Sequence, residues 1–155
     1  MNEINFVSLL ELRYQQTEGR IIEIVKDLIK NKNHSGLLLV LLKEHSDVVP
    51  EMVQLKPSTN PIAKYVNIDT PEGISLIEYY SKFDGAIVIS ACGQILSAGV
   101  YLVVNNPSVS IPEGCGTRHK AAASFSFSLN VRLVFTISEE NNLGRIWDAG
   151  KSTII

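Results

Sequence analysis

The chain has 155 residues, of which 45% are hydrophobic and 19% are charged. This length and balance are typical of one globular domain with one sizeable core, and they exclude two domains of ordinary size. The formal net charge of −2 and the absence of any run of lysine or arginine exclude a broadly basic surface, so we expect no nucleic-acid partner.

The N-terminal residues show a helical pattern. Apolar side chains recur at helical spacing through residues 21–29, with charged residues between them, and predict an amphipathic helix within residues 1–33. Gly19 leaves open whether the stretch around Leu9 is a separate helix. The apolar run at residues 37–42 is continuous rather than alternating, and it therefore predicts a buried central strand.

The middle of the chain begins with a segment that lacks periodicity. Residues 46–70 are rich in proline, so we expect irregular backbone with one short strand near Val53. The Thr-Pro-Glu motif at residues 70–72 then supplies a capping hydroxyl, a proline at the first helical position and an acid in the first turn. This motif predicts a helix that runs to about Lys82.

The second half of the chain is predicted to be mostly extended. Strands at residues 85–89 and 95–103 are separated by a glycine-containing turn, which predicts a hairpin. An alanine-rich helix is expected at residues 117–128, followed by a β-branched strand at 131–137. A turn at residues 141–144 leads into one last short strand. These elements predict an α/β (α+β) fold with a mixed, largely central β-sheet flanked by helices.

No segment for export or membrane insertion is apparent from the sequence. The longest apolar run is far too short to cross a bilayer as a helix, and no signal-peptide pattern opens the chain. Its two cysteines, Cys92 and Cys115, form neither a disulfide framework nor a zinc pattern. We therefore expect a cytoplasmic protein with free thiols and no membrane segment.

The first stretch that could carry chemistry is Asp84-Gly85-Ala86, between a predicted helix and a predicted strand. A carboxylate at the start of a strand is a candidate metal ligand. The glycine and the alanine that follow have almost no side chain, so a nucleotide could approach the backbone closely. An ordinary Asp-Gly turn explains the same three residues without any function.

The second stretch is Gly116-Thr117-Arg118-His119-Lys120, at the start of the alanine-rich helix. Helix N-termini present N–H groups and the positive end of a dipole, and a guanidinium can bind a phosphate through two donors. A capped helix with solvated basic residues is the alternative. Cations at a helix N-terminus oppose the dipole, however, so the cluster is easier to explain with an anion present.

Two carboxylates follow the last long strand, in the motif Ser138-Glu139-Glu140. A hydroxyl and carboxylates at a strand end could contact phosphate, ribose or metal. A polar strand end that serves no function is equally compatible with this motif alone.

Taken in order, these stretches resemble the diadenylate cyclase domain family. The family's Asp-Gly-Ala, hairpin, Gly-Thr-Arg-His-Arg-Ala-Ala and Ser-Glu-Glu motifs correspond to residues 84–86, 93–102, 116–122 and 138–140. The motif His34-Ser35-Gly36 is also similar. The resemblance covers about residues 34–151. It departs at Lys120, where the family has arginine, and in the turn after Glu140, which is one residue longer.

The resemblance implies a diadenylate cyclase domain over residues 34–155, preceded by an N-terminal helical segment over residues 1–33. Such a nucleotidyltransferase joins two ATP molecules into cyclic di-AMP and releases two pyrophosphates, with Mn²⁺ or Mg²⁺ and across a face-to-face dimer. By the same resemblance Asp84 binds the metal, and Asp84, Arg118 and His119 are catalytic. The implied nucleotide-binding residues are Gly85, Ala86, Tyr101, Leu102, Gly116, Thr117, Arg118, His119, Lys120, Ser138 and Glu140.

In a second hypothesis the chain has the same fold but does not catalyse the reaction. The chain would then be a catalytically weak sensor of a nucleotide or a cyclic dinucleotide. Asp84 favours the enzyme, because a sensor has no need of the metal ligand. Lys120 in place of the family's arginine leaves the sensor hypothesis possible, because lysine lacks the planar guanidinium.

Overall fold

The computed structural model describes residues 3–43, 52–54, 66–102 and 116–155. These residues form three helices and one sheet of eight strands. The helices are α1 (Glu3–Asn31), α2 (Pro71–Tyr80) and α3 (Thr117–Phe125). The strands are β1 (Leu37–Leu42), β2 (Met52–Gln54), β3 (Val66–Asn67), β4 (Ala86–Ile89), β5 (Gln94–Leu102), β6 (Val131–Ile137), β7 (Gly144–Asp148) and β8 (Lys151–Ile154).

The strands follow the order β2-β5-β4-β1-β6-β7-β8, and β3 also pairs with β5. β1 and β4 are parallel, and the other recorded pairs are antiparallel. The predicted mixed sheet flanked by helices is therefore confirmed. β1 lies in the interior of the sheet, between β4 and β6, as its continuous apolar run indicates.

Both faces of the sheet are covered. Leu39 of β1 packs with Ile21 of α1 and Ile77 of α2 in one apolar cluster. Val40, the next residue along β1, points to the opposite face and packs with Ala122 of α3. All six residues of β1 are buried, because helices lie over both sides of this strand.

α1 is a single helix of 29 residues, so Gly19 does not separate two helices. A glycine inside a helix costs about 1 kcal/mol relative to alanine. Burial of Ile21, Val25 and Leu28 against the sheet offsets that cost. Within the described ranges, no helix is both long enough and apolar enough to span a membrane.

α2 begins as the Thr-Pro-Glu motif predicts. The Thr70 hydroxyl accepts a hydrogen bond from the Gly73 N–H at 3.1 Å, and Pro71 occupies the first helical turn. Ile77 is fully buried, whereas Phe83, beyond the end of the helix, is 49% exposed. The helix ends at Tyr80, slightly before the predicted end at Lys82.

The end of the chain differs from the prediction of one last strand. β7 and β8 form an antiparallel hairpin whose turn is made by Ala149 and Gly150, with φ angles of 46° and 82°. β8 is largely exposed, so its sequence lacks the apolar alternation by which strands are recognised. Backbone pairing with β7 defines this strand instead. The predicted strand near Val53 is confirmed as β2.

Candidate functional site

One edge of the sheet collects the segments that carry the predicted site residues. The parallel strands β1 and β4 both begin at this edge, while β5 and β6 run antiparallel to them and end there. Asp84 precedes β4, Tyr101 and Leu102 end β5, and Ser138 follows β6. The topology therefore brings residues together that are far apart in the sequence.

A cavity of about 880 Å³ opens at this edge, within the range of about 300–1,000 Å³ that is usual for ligand pockets. The predicted residues that line it are Asp84, Gly85, Tyr101, Leu102, Gly116, Arg118, His119, Ser138 and Glu140. The acidic segment before β4 and the basic start of α3 thus face one common space. Their roles toward a ligand stay predictions.

Asp84 lies in the turn between α2 and β4, and it is exposed. Gly85 has a φ angle of 107°, a conformation that glycine adopts without strain. Ala86 is fully buried at the start of β4. An ordinary Asp-Gly turn, which was the explanation without function, is therefore present. The same turn places residues 84 and 85 in the lining of the cavity.

The start of α3 has the geometry of an anion site. Gly116 is the N-cap, and no side chain of its own caps the helix. No acid lies in the first turn, which contains Arg118 and Lys120 instead. The positive end of the helix dipole and the Arg118 side chain therefore act in the same direction at the cavity.

The Arg118 guanidinium lies directly against Gly36, just before β1. A Cβ atom at Gly36 would come within 2.0 Å of the Arg118 Nη1 atom, and the φ angle of Gly36 is 93°. Only glycine leaves room for the guanidinium without backbone strain at this position. Gly36 thus makes room for a side chain of the site. In the sequence it was noted only because His34-Ser35-Gly36 is similar to a motif of the family.

His119 is buried beneath the cavity, with 5% of its surface exposed. Its ring contacts the edge of the Trp147 indole, with the ring centroids 5.9 Å apart, and the Trp147 Nε1–H donates to the Thr136 hydroxyl at 2.9 Å. Burial, helped by the charges of Arg145 and Arg118, lowers the pKa of His119 from its usual 6.5. The imidazole is therefore neutral at pH 7 and can donate one hydrogen bond.

Comparison with known proteins gives the chain a family. The model of a family described as DAC, DisA bacterial checkpoint controller nucleotide-binding, matches residues 25–151. The chain belongs to this family. The resemblance carried by the ordered motifs is thereby confirmed.

Two proteins named diadenylate cyclase are similar to this DAC chain. The protein from Haloferax volcanii is 36% identical over 95 residues, which are 61% of this chain and 35% of that protein. The protein from Methanocaldococcus jannaschii is 30% identical over 144 residues, which are 92% of this chain and 46% of that protein. The chain thus spans less than half the length of each of these relatives.

Two solved structures share the fold of the DAC chain, and each match covers 90% of it. A hypothetical membrane-spanning protein from Bacillus cereus matches over 63% of its own chain, with a TM-score of 0.67 and 22% identity. A double mutant of DacA from Staphylococcus aureus matches over 86% of its chain, with a TM-score of 0.60 and 21% identity. At these identities the likeness concerns the fold alone.

Two of the predicted residues, Ala86 and Lys120, do not line the DAC cavity. Ala86 supports the site from the core, since it is buried at the start of β4. Lys120 is exposed and does not line the cavity. Thr117 begins α3, and its side chain lies outside the part of the chain that the structure describes.

Further residues line the cavity that the sequence analysis did not assign to the site. They are Leu38, Val100, Ala121 and Glu139. Val100, Ala121 and Glu139 stood within motifs that resemble those of the family, but no site role was assigned to them. Leu38, Val100 and Ala121 are apolar, so the sequence alone does not distinguish a cavity wall from the core.

Proposed function

We propose that this chain is a diadenylate cyclase, which condenses two ATP molecules into cyclic di-AMP and two pyrophosphates. One observation carries the proposal: Asp84 and the basic start of α3, with Arg118, line the same cavity. A metal-binding acid and an anion-binding helix start are what a metal–nucleotide substrate requires. Membership in the DAC family and the names of the two similar archaeal proteins support the same activity.

The triphosphate would lie at the start of α3. Arg118 can bind a phosphate through two parallel hydrogen bonds, and Gly116 leaves the backbone open to close approach. His119 lines the same cavity and can add a further hydrogen bond. Thr117 completes this group by its place in the family motif, whereas Lys120 shares the motif but does not line the cavity.

The adenosine would occupy the end of β5. Tyr101 is 57% exposed, so its ring can contact the base, while the backbone of buried Leu102 reads the base edge. Gly85 and Ala86 pack close to the nucleotide, and Ser138 and Glu140 contact it from the opposite side of the cavity. Apolar Leu38 and Val100 form part of the surface that excludes water.

A divalent metal, Mn²⁺ or Mg²⁺, belongs to this proposal, with Asp84 as its ligand. Among the described residues, no group of three or more His, Cys, Asp or Glu side chains could hold a metal by itself. Mg²⁺ in nucleotide enzymes usually takes one or two carboxylates and completes its shell with phosphate oxygens and water. Asp84 therefore fits a metal that arrives with ATP. When bound, the metal would lower the pKa of the ribose hydroxyl and neutralise phosphate charge.

In each transfer the ribose 3′-oxygen of one ATP forms a bond to the α-phosphorus of the other. The bond from that phosphorus to the oxygen bridging to the β-phosphate breaks, pyrophosphate leaves, and the hydroxyl proton passes to solvent. Arg118 and the α3 dipole would stabilise the negative charge that builds on the phosphate oxygens. Preorganisation of both nucleotides would account for most of the acceleration.

Two chains are required by this chemistry. The cavity is built by one chain and is proposed to hold one ATP, whereas the product contains two nucleotides. We therefore propose self-association in which two cavities face each other. The turnover rate per chain should then rise with protein concentration until the dimer is fully formed.

The direct test incubates the purified chain with ATP and Mn²⁺ or Mg²⁺ over a range of protein concentrations. Cyclic di-AMP, identified by chromatography and mass spectrometry, is the expected product. A chain that binds ATP but yields no product with either metal, at any protein concentration, would be a sensor rather than an enzyme. No rise in melting temperature with ATP would exclude both functions.

Lys120→Arg restores the arginine of the family motif and so tests the one substitution that favours the sensor hypothesis. Because Lys120 is exposed and does not line the cavity, we expect kcat and KM to change by no more than about twofold, the usual effect of a surface substitution. Steady-state kinetics with ATP would measure this. A large gain in activity would instead mean that lysine at this position weakens the enzyme.

A further inference from the structure

Residues 34–36, which precede β1, do not line the cavity, yet they contact Arg118 in its lining and two residues, Ser81 and Asn142, that lie a few positions from the lining residues Asp84 and Glu140. We define three segments at the cavity: the acid wall (residues 81–86, of which residues 84 and 85 line it), the arginine wall (Arg118) and the glutamate turn (residues 138–142, of which residues 138–140 line it). The walls come from distant parts of the sequence. Something must therefore set their relative positions.

His34 connects to the glutamate turn through its side chain. The His34 Nδ1 atom accepts the Gly36 N–H at 2.9 Å, so the proton lies on Nε2 and is donated to the Asn142 Oδ1 atom at 2.5 Å. The Asn142 side chain in turn donates to the Ile29 carbonyl of α1 at 2.8 Å. The backbone N–H of Asn142 donates to the Ser138 carbonyl at 3.0 Å and closes the turn.

Ser35 and Gly36 connect to the other two walls. The Ser35 N–H donates to the carbonyl of Ser81 at 3.0 Å, and Ser81 caps the C-terminus of α2 shortly before Asp84. Gly36 lies against the Arg118 guanidinium. Adjacent residues therefore hold the acid wall, the arginine wall and the glutamate turn.

We propose that residues 34–36 are a positioning segment for the site, with His34 as its central residue. They touch none of the reacting atoms and act by fixing where Asp84, Arg118 and the glutamate turn lie relative to one another. The expected effect on turnover rests on the proposed diadenylate cyclase activity, whereas the claim that these residues hold the three segments in place does not. Misplacement of about 1 Å can cost about a hundredfold in rate, so such a segment is able to control turnover.

His34→Ala tests the proposal, together with Asn142→Gly, which removes the partner side chain while suiting the φ angle of 54° at that position. We expect kcat to fall about tenfold in each variant while KM for ATP changes less than about threefold, because the binding groups remain but lose their placement. The double variant should lose less than the product of the two single losses, since both remove the hydrogen bond between His34 and Asn142.

Thr17→Ala is the matched control. The Thr17 hydroxyl donates to the Ala91 carbonyl at 2.9 Å, which is also a long-range contact from a largely buried side chain but lies away from the cavity lining. This control should destabilise the fold to a similar extent and leave kcat unchanged. An equal loss of kcat in Thr17→Ala, or an unchanged kcat in His34→Ala, would overturn the proposal.

Hydrogen exchange supplies a readout that does not depend on turnover. The amides of Ser35 and Asn142 should exchange about tenfold faster or more in His34→Ala than in Thr17→Ala, because their segments open locally. If the original protein makes no cyclic di-AMP but His34→Ala still exchanges faster, the proposed function is contradicted and the positioning role is kept. Unchanged exchange would overturn the positioning role whatever the activity.

Discussion

Asp84→Asn is expected to keep ATP affinity within about fivefold of the original and to lose turnover by about a thousandfold, the upper end of effects seen when one charge-stabilising group is removed. Asparagine has nearly the same shape as aspartate but no negative charge. The phosphate-binding start of α3 would remain intact, so ATP would still bind. The chemical step would lose the carboxylate proposed to hold the metal.

Turnover in Asp84→Asn is measured as cyclic di-AMP formed at saturating ATP, and affinity by calorimetry in the presence of the metal. Asp148→Asn is the matched control, because it removes the same charge from an exposed position in β7 that does not line the cavity. The control should keep full activity. Normal turnover in Asp84→Asn would refute the metal-binding role of this residue.

Arg118→Ala is expected to weaken ATP binding by about 1.5–3 kcal/mol, the usual contribution of a hydrogen bond to a charged group, or roughly ten- to a hundredfold in Kd. The loss should be larger for ATP than for adenosine, because the guanidinium is proposed to contact phosphate alone. Arg118→Lys should recover part of the affinity, since it keeps the charge and loses the planar fork.

Calorimetric titration with ATP and with adenosine measures this difference. Lys151→Ala serves as the control for net charge, because Lys151 is exposed on β8 and does not line the cavity. Equal losses for ATP and adenosine in Arg118→Ala would point to a collapsed cavity rather than a lost phosphate contact. Unchanged ATP affinity would remove Arg118 from the triphosphate site.

Several elements could be predicted because their local signals agree with the tertiary structure. β1 and β6 have the predicted bounds, since apolar and β-branched runs suit strands that are buried in a sheet. α2 begins at the predicted cap. Local signals left a break at Gly19 open, where packing on the sheet outweighs a helix-breaking tendency, and they missed β8, where exposure leaves no periodic pattern.

The site could be predicted only in part. Asp84 and Arg118 were singled out by their residue types at a strand start and at a helix start, and the resemblance to a known family supplied their expected roles. Gly36 could not be assigned from the sequence, because its importance lies in the space that the Arg118 guanidinium occupies beside it. His34 likewise gains its role from Asn142, a partner that is distant in the sequence.

The sequence by itself determined the family, the alternation of helices and strands, and the types of groups available for chemistry. These properties depend on local spacing and on ordered motifs. Only the tertiary structure decided that the carboxylate before β4 and the basic start of α3 share one cavity, and that residues 34–36 connect its walls. The reason is physical: parallel pairing of β1 with β4, and antiparallel pairing with β5 and β6, determine which strand ends meet, and no local pattern encodes that pairing.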